Sequence, residues 1–230
     1  MTEPTLILLP GMDGTGRLFT PLLTALGERP AVVLDHPTDR ALPYDALYDL
    51  LLPRLPDGPL VAVGESFSGP LAIRLAAEHR AVVGLALVAT FARAPTSRAL
   101  IRLGALIAVG PPPRPAIRAM LAGTDAPAEL VSAVRDAIAA VGPGVISARL
   151  RAVADVDVTA DLARTTCPAL YLHARRDRLV GESALNDVRR ARPDLVIRSF
   201  DAPHLLAQRQ PDAVADALAE LTAISCPASP

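Results

Sequence analysis

LVAVGESFSG, residues 60–69, is the stretch that decides the fold. Its first part, Leu60 to Val63, is a continuous apolar run, which is typical of a strand buried on both faces of a parallel sheet. Residues 70–78 have a helical composition, with apolar side chains three and four positions apart. The sequence therefore predicts a strand that ends in a tight turn, with Ser66 in the turn and a helix directly after it.

A serine in such a turn can act as a nucleophile. The turn lifts its hydroxyl clear of the sheet, and small neighbours at Gly64 and Ser68 let the backbones approach. The amide of Phe67, at the start of the helix, is then free to stabilise an oxyanion. The stretch departs from the pattern G-x-S-x-G, because Ser68 replaces the second glycine and Gly69 follows one place later. The alternative interpretation is an ordinary turn in which Ser66 only caps the helix.

Apolar runs typical of strands recur along the chain, with helical stretches between them. They predict strands at 5–9, 31–34, 60–63, 82–89, 169–173 and 195–200. This alternation predicts an α/β fold with a doubly wound, mostly parallel sheet, in which ligands bind beyond the carboxyl ends of the strands. The loops after the first, third and fourth strands should therefore meet at one edge.

The pattern changes between residues 94 and 164, where helical stretches rich in Ala, Leu and Arg are separated by prolines. We predict a helical insertion that lies over the site as a lid, although these helices could also serve only as packing. Residues 1–93 and 165–224 then form the α/β core, and residues 225–230 form a disordered tail. The apolar residues expected to line an acyl-sized cavity are Leu100, Leu103, Ile107 and Met120.

Two polar residues follow the last two predicted strands. Asp177 and His204 complete the order nucleophile, acid, histidine, and each of the three lies just past the end of a strand. A serine hydroxyl needs a general base, and the base needs a carboxylate that fixes its tautomer. The sequence therefore predicts a catalytic triad of Ser66, His204 and Asp177. The oxyanion hole should combine the amides of Phe67 and Met12.

The other histidines are weaker candidates for the base. We expect His36 and His79 to be solvated polar residues. His173 ends the acid-bearing strand and stays open as an alternative base. Among the acids, Asp201 is expected to shape the loop that carries His204.

Composition limits the possible functions. The 230 residues fit one α/β domain, and a net charge of -1 gives no electrostatic case for nucleic acid or an anionic membrane. The glycines of the loop at 10–16 match neither the dinucleotide-binding pattern nor the phosphate-loop pattern. The two cysteines, Cys167 and Cys226, suggest neither a disulfide framework nor a metal cluster. We therefore expect no metal and no cofactor.

The N-terminal residues MTEPTLILLP lack the basic region and the longer apolar segment of a signal peptide. The most apolar runs elsewhere are too short for a membrane span or are interrupted by Arg102. We expect a soluble, cytoplasmic protein without a membrane anchor.

At these motifs the chain resembles the α/β-hydrolase superfamily, in particular small bacterial carboxylesterases such as the pimeloyl-carrier-protein methyl ester esterases. The resemblance spans nearly the whole chain and rests on LLPGMDGTG at 8–16, GESFSG at 64–69, LHARRDRLV at 172–180 and DAPHLLAQRQP at 201–211. That family's first loop usually begins His-Gly, whereas here it begins Pro10-Gly11, which keeps the backbone donor and removes a side chain. Dehalogenases and epoxide hydrolases of the superfamily carry Asp at the turn, so Ser66 argues against both.

The resemblance implies a serine carboxylesterase that hydrolyses small esters of short to medium acyl chains through an acyl-enzyme on Ser66. An acyltransferase or a thioesterase could use the same triad, and a non-catalytic ligand-binding protein of this fold is a third possibility. The intact triad argues against the last of these. Arginines 98, 102, 114 and 118 are expected at the surface, although one turned inward could bind the carboxylate of a diacid half-ester. The sequence does not determine the physiological substrate or the oligomeric state.

Overall fold

The computed structural model describes residues 3–107 and 110–225, without the side chains of Ile107 and Pro143. At its centre is a sheet of six parallel strands in the order β2-β1-β3-β4-β5-β6. The strands are β1 (Thr5–Leu9), β2 (Ala31–Val33), β3 (Leu60–Glu65), β4 (Val82–Val88), β5 (Ala169–Ala174) and β6 (Val196–Phe200). The predicted α/β fold with a doubly wound sheet is confirmed.

Helices connect all six strands. They are α1 (Thr20–Leu26), α2 (Tyr44–Leu51), α3 (Gly69–Glu78), α4 (Arg98–Ile107), α5 (Arg114–Ile117), α6 (Ala128–Ala139), α7 (Pro143–Asp155), α8 (Thr159–Arg164), α9 (Glu182–Ala191), α10 (Leu206–Arg209) and α11 (Pro211–Ser225). Short 3-10 helices lie at Arg17–Phe19, Leu52–Arg54 and Ser66–Ser68, and a π-helix lies at Arg118–Ala122. Of the predicted tail, Ser225 ends α11 and residues 226–230 lie outside the described residues.

Both faces of the sheet are covered, which explains why its central strands are continuous apolar runs. Every residue of β3 is buried. Alternate residues point to opposite sides: Ile7 of β1 packs into the core beneath α2, α3 and α9, whereas Leu8 packs into the core beneath α1 and α11. Because parallel strands place their carboxyl ends at the same edge, the loops after β1, β3, β4, β5 and β6 converge there.

The segment 94–164 between β4 and β5 folds as α4 to α8 with the π-helix. Helix α4 packs on α7, and α5 packs on α6 around a separate small core that includes Ile117, Val131, Val134 and Leu205. No single helix of the described residues is long and apolar enough to cross a membrane, and α6 and α7 pass that test only when taken together across a bend of 95°.

Candidate active site

Ser66 lies in the turn between β3 and α3, as the first residue of the 3-10 helix. Its φ angle is 49°, a region that residues with a side chain rarely adopt and that costs about 1–3 kcal/mol. The hydroxyl of Thr90, beyond the end of β4, donates a hydrogen bond to the Ser66 carbonyl. The neighbouring strand therefore holds the serine in a strained turn that exposes its hydroxyl at the sheet edge.

Gly69, one place after the second glycine position of G-x-S-x-G, allows the turn to pack closely against Thr90. A Cβ on Gly69 would lie 2.0 Å from the Thr90 hydroxyl oxygen, so only glycine fits there. Ser68, which stands at the consensus glycine position, is used differently. Its hydroxyl donates to the Pro10 carbonyl and accepts from His36 Nε2 at 2.8 Å, which ties the turn to the loop after β1.

We expect Gly69→Ala to lower stability and activity together, because the added methyl group must displace Thr90 from the Ser66 carbonyl. Overpacking of this kind costs about 1–3 kcal/mol, which lowers Tm by several degrees in a chain of this size. Calorimetry and ester turnover measure the two effects. Gly104→Ala is the matched control, because its Cβ would meet nothing within 4 Å and alanine favours the helix. An unchanged Tm for Gly69→Ala would show that Thr90 yields without cost.

The structure brings the three predicted triad residues together. Ser66 Oγ lies 2.8 Å from His204 Nε2, and His204 Nδ1 lies 2.7 Å from Asp177 Oδ2. Asp177 follows β5 and His204 follows β6, so the side chains come from the ends of three different strands. With Nδ1–H donating to the carboxylate, Nε2 presents its lone pair to the serine hydroxyl. This is the hydrogen-bond chain that a serine nucleophile requires.

The acid is held rigidly behind the histidine. Asp177 Oδ1 accepts hydrogen bonds from the amides of Leu179 and Val180 at 2.8 and 2.9 Å, which leaves Oδ2 for His204. Burial by itself lowers the pKa of His204, but the carboxylates of Asp177 and Glu65 outweigh burial and raise it above its usual value. The site therefore stabilises the imidazolium that forms when His204 takes a proton.

In the described part of the chain, the side chains of the other histidines do not bond to Ser66. The expectation that His36 is solvated is wrong: it is buried, bonded to Ser68, and burial with nearby Arg149 lowers its pKa to about 3. His173 lies 3.4 Å from Ser199 Oγ and 3.8 Å from Glu182, so it does not take the place of the base. His204 is the histidine within hydrogen-bond distance of Ser66 Oγ, and its role as the base stays a prediction.

Asp201 and His79 have minor roles. Asp201 pairs with Arg176 at 3.1 Å, and its carbonyl accepts hydrogen bonds from Arg176 and Gln210, so it shapes the loop before His204 as expected. His79 lies directly after α3 and is half-buried, and its Nδ1 is buried without a partner in the described part of the chain, so it is only partly solvated.

A cavity of about 440 Å³ opens in front of Ser66 and His204. The wall contributed by the 94–164 segment is apolar and consists of Gly110, Pro112, Pro113, Leu121, Val134, Ile138, Ile146 and Leu150. The expected lining by Leu100, Leu103 and Met120 is wrong, because these side chains are 62%, 57% and 40% exposed. Helix α4 turns Ile101 and Ala105 inward and lies against α7, whose residues Ile146 and Leu150 line the cavity instead. The side chain of Ile107 lies outside the described residues.

The arginines of the 94–164 segment do not line this cavity. Arg98, Arg102 and Arg114 are exposed, and Arg102 pairs with Asp155 at 2.7 Å. Arg118 is half-buried and donates to the carbonyl of Ala126. The surface position expected for these residues is therefore the one observed, and none of them is placed to bind a carboxylate beside Ser66.

A family model described as the alpha/beta hydrolase family matches residues 6–217, a range that includes the serine turn, the acid and the histidine. The chain belongs to the alpha/beta hydrolase family. That membership supports hydrolase chemistry at this site, while the narrower resemblance to small bacterial carboxylesterases stays a prediction.

Single relatives of this alpha/beta hydrolase are distant. Phytyl ester synthase 1, chloroplastic, of Arabidopsis thaliana is 38% identical over 87 residues, which are 34% of this chain and only 12% of that protein. Among solved structures, a bromoperoxidase from Bacillus anthracis has a TM-score of 0.81 at 18% identity, covering 96% of this chain and 92% of that one. A lipase-esterase related protein from Clostridium acetobutylicum ATCC 824 has a TM-score of 0.80 at 14% identity, covering 96% and 95%. These structural likenesses show the fold.

One buried cation of this chain, Arg149, was not identified from the sequence. Arg149 of α7 is fully buried, and its guanidinium donates to the carbonyls of Met12 and Pro37 at 2.7 and 2.8 Å. Burial lowers the pKa of Arg149, although the nearby carboxylate of Asp13 opposes the shift. Arg149 thus fixes the loop after β1 from the 94–164 segment. One arginine among many gives no local signal of such a contact.

The two amides predicted for the oxyanion hole lie on loops that other side chains hold by hydrogen bonds. The Met12 carbonyl accepts from Arg149, and among the described residues the Met12 amide donates to no backbone carbonyl. The Phe67 carbonyl accepts from Tyr44 at 2.8 Å, and its amide lies in the first turn of a helix, where amides have no intrahelical acceptor. The role of the two amides stays a prediction.

Proposed function

We propose that the protein is a serine carboxylesterase that hydrolyses carboxylic esters through an acyl-enzyme on Ser66. The observation that carries this proposal is the chain of hydrogen bonds from Ser66 through His204 to Asp177, at 2.8 and 2.7 Å, at the floor of an apolar cavity. A screen for hydrolysis of p-nitrophenyl esters tests it directly. Absence of turnover with every acyl chain length would overturn it.

The geometry supports a two-step reaction. Ser66 Oγ attacks the ester carbonyl while His204 Nε2 takes its proton, and the carboxylate of Asp177 stabilises the resulting imidazolium. The tetrahedral intermediate collapses, and His204 returns the proton to the departing alcohol. A water molecule, deprotonated by His204, then attacks the carbonyl of the acyl-enzyme and forms a second tetrahedral intermediate. This intermediate collapses as His204 returns the proton to Ser66 Oγ, which releases the carboxylic acid.

The oxyanion of each tetrahedral intermediate would be bound by the amides of Met12 and Phe67. Preorganised donors of this kind are worth about 2.7–4 kcal/mol each at the transition state. Hydrogen bonds from Arg149, Tyr44 and Thr90 to the carbonyls of these loops support the proposal. They fix the loop backbone before the reaction, so the amides need not reorganise when the oxyanion forms.

The segment 94–164 would act as the lid of the site. It supplies most of the apolar wall of the cavity, so the acyl chain would lie against α6 and α7. Each methylene that leaves water gains up to about 0.8 kcal/mol. Specificity should therefore depend on acyl chain length until the cavity is full.

We expect kcat/KM to rise from acetate to butyrate to octanoate and to fall at palmitate, because a cavity of about 440 Å³ does not hold the palmitoyl chain together with the ester and nitrophenyl groups. p-Nitrophenyl esters of these acids measure the series. Ile138→Phe, which fills the cavity, should shift the optimum to shorter chains, while Leu103→Phe, at an exposed position, should not. A steady fall from acetate onward would show that the site does not hold the acyl chain in this cavity.

Acyl transfer is the second candidate function, favoured by the partial similarity to phytyl ester synthase 1. The same acyl-enzyme would then be resolved by an alcohol in place of water. Adding an apolar alcohol to the ester assay separates the two: a transferase forms a new ester in preference to the free acid. Formation of free acid alone supports the esterase.

A further inference from the structure

A charged side chain stands immediately before the nucleophile. Glu65 ends β3, is only 5% exposed and lines the same cavity as Ser66 and His204. All other residues of β3 are apolar or glycine. Since a buried carboxylate is costly unless other groups compensate for it, this position requires an explanation that packing does not provide.

Gln208 is the direct partner of Glu65. Its Nε2 donates to Glu65 Oε1 at 3.0 Å, and Gln208 lies on α10, the helix that begins two residues after His204. The amide oxygen of Gln208 is buried and has no partner among the described residues. The amide can therefore turn over without breaking another bond of that oxygen, and it can present its NH₂ to a carboxylate or its oxygen to a carboxylic acid. In the observed orientation Gln208 donates to Glu65 and therefore favours its ionised form, while a turned amide could still accept from the acid.

The groups that face Glu65 come from three loops and one helix. They are His204 after β6, Asp13 after β1, Ser66 in its own turn and Gln208 on α10. Burial raises the pKa of Glu65 to about 7, with a further contribution from Asp13, against the opposing effects of Gln208 and His204. In turn, the charge of Glu65 helps to raise the pKa of His204.

We propose that Glu65 is a positioning residue that acts through His204: it is a second carboxylate in the cavity of the base, and its charge adds to that of Asp177 in raising the pH below which the base is protonated and idle. This inference rests on the proposed function, in which His204 must be neutral to accept the proton of Ser66. When Glu65 is ionised, it favours the imidazolium. When it is neutral, Asp177 alone stabilises that charge.

Glu65→Gln tests the proposal, because it removes the charge and keeps the size and a hydrogen-bonding amide. In a plot of kcat/KM against pH, the limb on the acidic side, where activity falls as pH falls, reports the protonation of the base in the free enzyme. Loss of a nearby negative charge lowers the pKa of a histidine, so the limb should move to lower pH by about half a unit or more. Hydrolysis of p-nitrophenyl butyrate, a substrate that does not titrate in this range, measures the limb. At the plateau, kcat/KM should stay within about tenfold of the original value, because Glu65 takes no proton from the substrate.

Two further variants sharpen the result. Gln208→Leu removes the donor that stabilises ionised Glu65, so the limb should move in the same direction. Glu182→Gln is the matched control, because its carboxylate is exposed and lies beside His173. It should leave the limb unchanged.

A spectroscopic measurement separates this proposal from the proposed function. The Nδ1 proton that His204 shares with Asp177 should give a downfield proton resonance, whose pH midpoint reports the histidine directly. A lower midpoint in Glu65→Gln supports the positioning role even if no ester is hydrolysed, in which case only the esterase proposal fails. An unchanged midpoint overturns the positioning role, and so does a uniform loss of activity with an unchanged limb, which would indicate a structural residue.

Discussion

Replacing Ser66 with alanine is expected to reduce kcat for ester hydrolysis by about a million-fold, since the covalent route depends on this one oxygen. The residual rate should come from the oxyanion donors and from binding alone. The fold should be retained, because alanine occupies the same space and the strained backbone at 66 is held by Thr90 rather than by the serine hydroxyl. Burst kinetics and calorimetry on the same preparation measure both effects.

A fluorophosphonate probe gives an independent test of the nucleophile. It should add one mass increment to the original protein and none to Ser66→Ala. Ser183→Ala is the matched control, because Ser183 is exposed and bonds only to the Pro95 carbonyl at 3.3 Å. More than about a tenth of the activity in Ser66→Ala, or an adduct on another residue, would remove Ser66 from its assigned role.

The main features of the fold were predictable because buried parallel strands leave a simple pattern. All six predicted strands are observed, with bounds that differ by a few residues at most. The third strand shows the limit of the pattern. The apolar run stops at Val63, yet β3 continues to Glu65, because a carboxyl group can be buried when Gln208 bonds to it from a distant helix.

The proximity of Ser66, Asp177 and His204 was predictable for a related reason. A nucleophile turn is local in sequence, and the strand pattern indicates which polar residues follow the other strands of the same edge. Ser66, Asp177 and His204 could therefore be placed together without coordinates. The sequence already favoured His204 over His173, and the structure added the pairing distances and the separate contacts of His173.

The rest of the site depends on contacts that no local pattern contains. Arg149 reaches Met12 across 137 positions of sequence, and His36 reaches Ser68 across 32. The sequence of residues 94–164 also predicted helices, but it did not show which side of each helix faces the cavity. Leu100 and Leu103 were therefore assigned to the cavity, although they are exposed and Ile101 is the buried residue.

The second large effect is expected from the base and the acid, replaced separately and together. His204→Ala should lower kcat by about a million-fold and Asp177→Ala by about ten-thousand-fold, because without the carboxylate the imidazole loses its fixed tautomer and the stabilisation of its charge. If the two acted independently, the double variant would lose about ten-billion-fold. We expect it to be scarcely worse than His204→Ala, because Asp177 acts only through the histidine it holds at 2.7 Å.

His173→Ala is the control for this series, since His173 ends β5 and contacts Ser199 rather than the nucleophile. It should keep most of the activity, with a loss of stability from its buried position. Asp177→Asn removes the charge of the side chain but keeps an oxygen that can accept from the amides of Leu179 and Val180. Its Tm should therefore change less than that of Asp177→Ala, while kcat remains low because the carboxylate is absent. Additive losses, or a larger loss in His173→Ala than in His204→Ala, would show that the hydrogen-bond chain from Asp177 to Ser66 is not the unit that activates the serine.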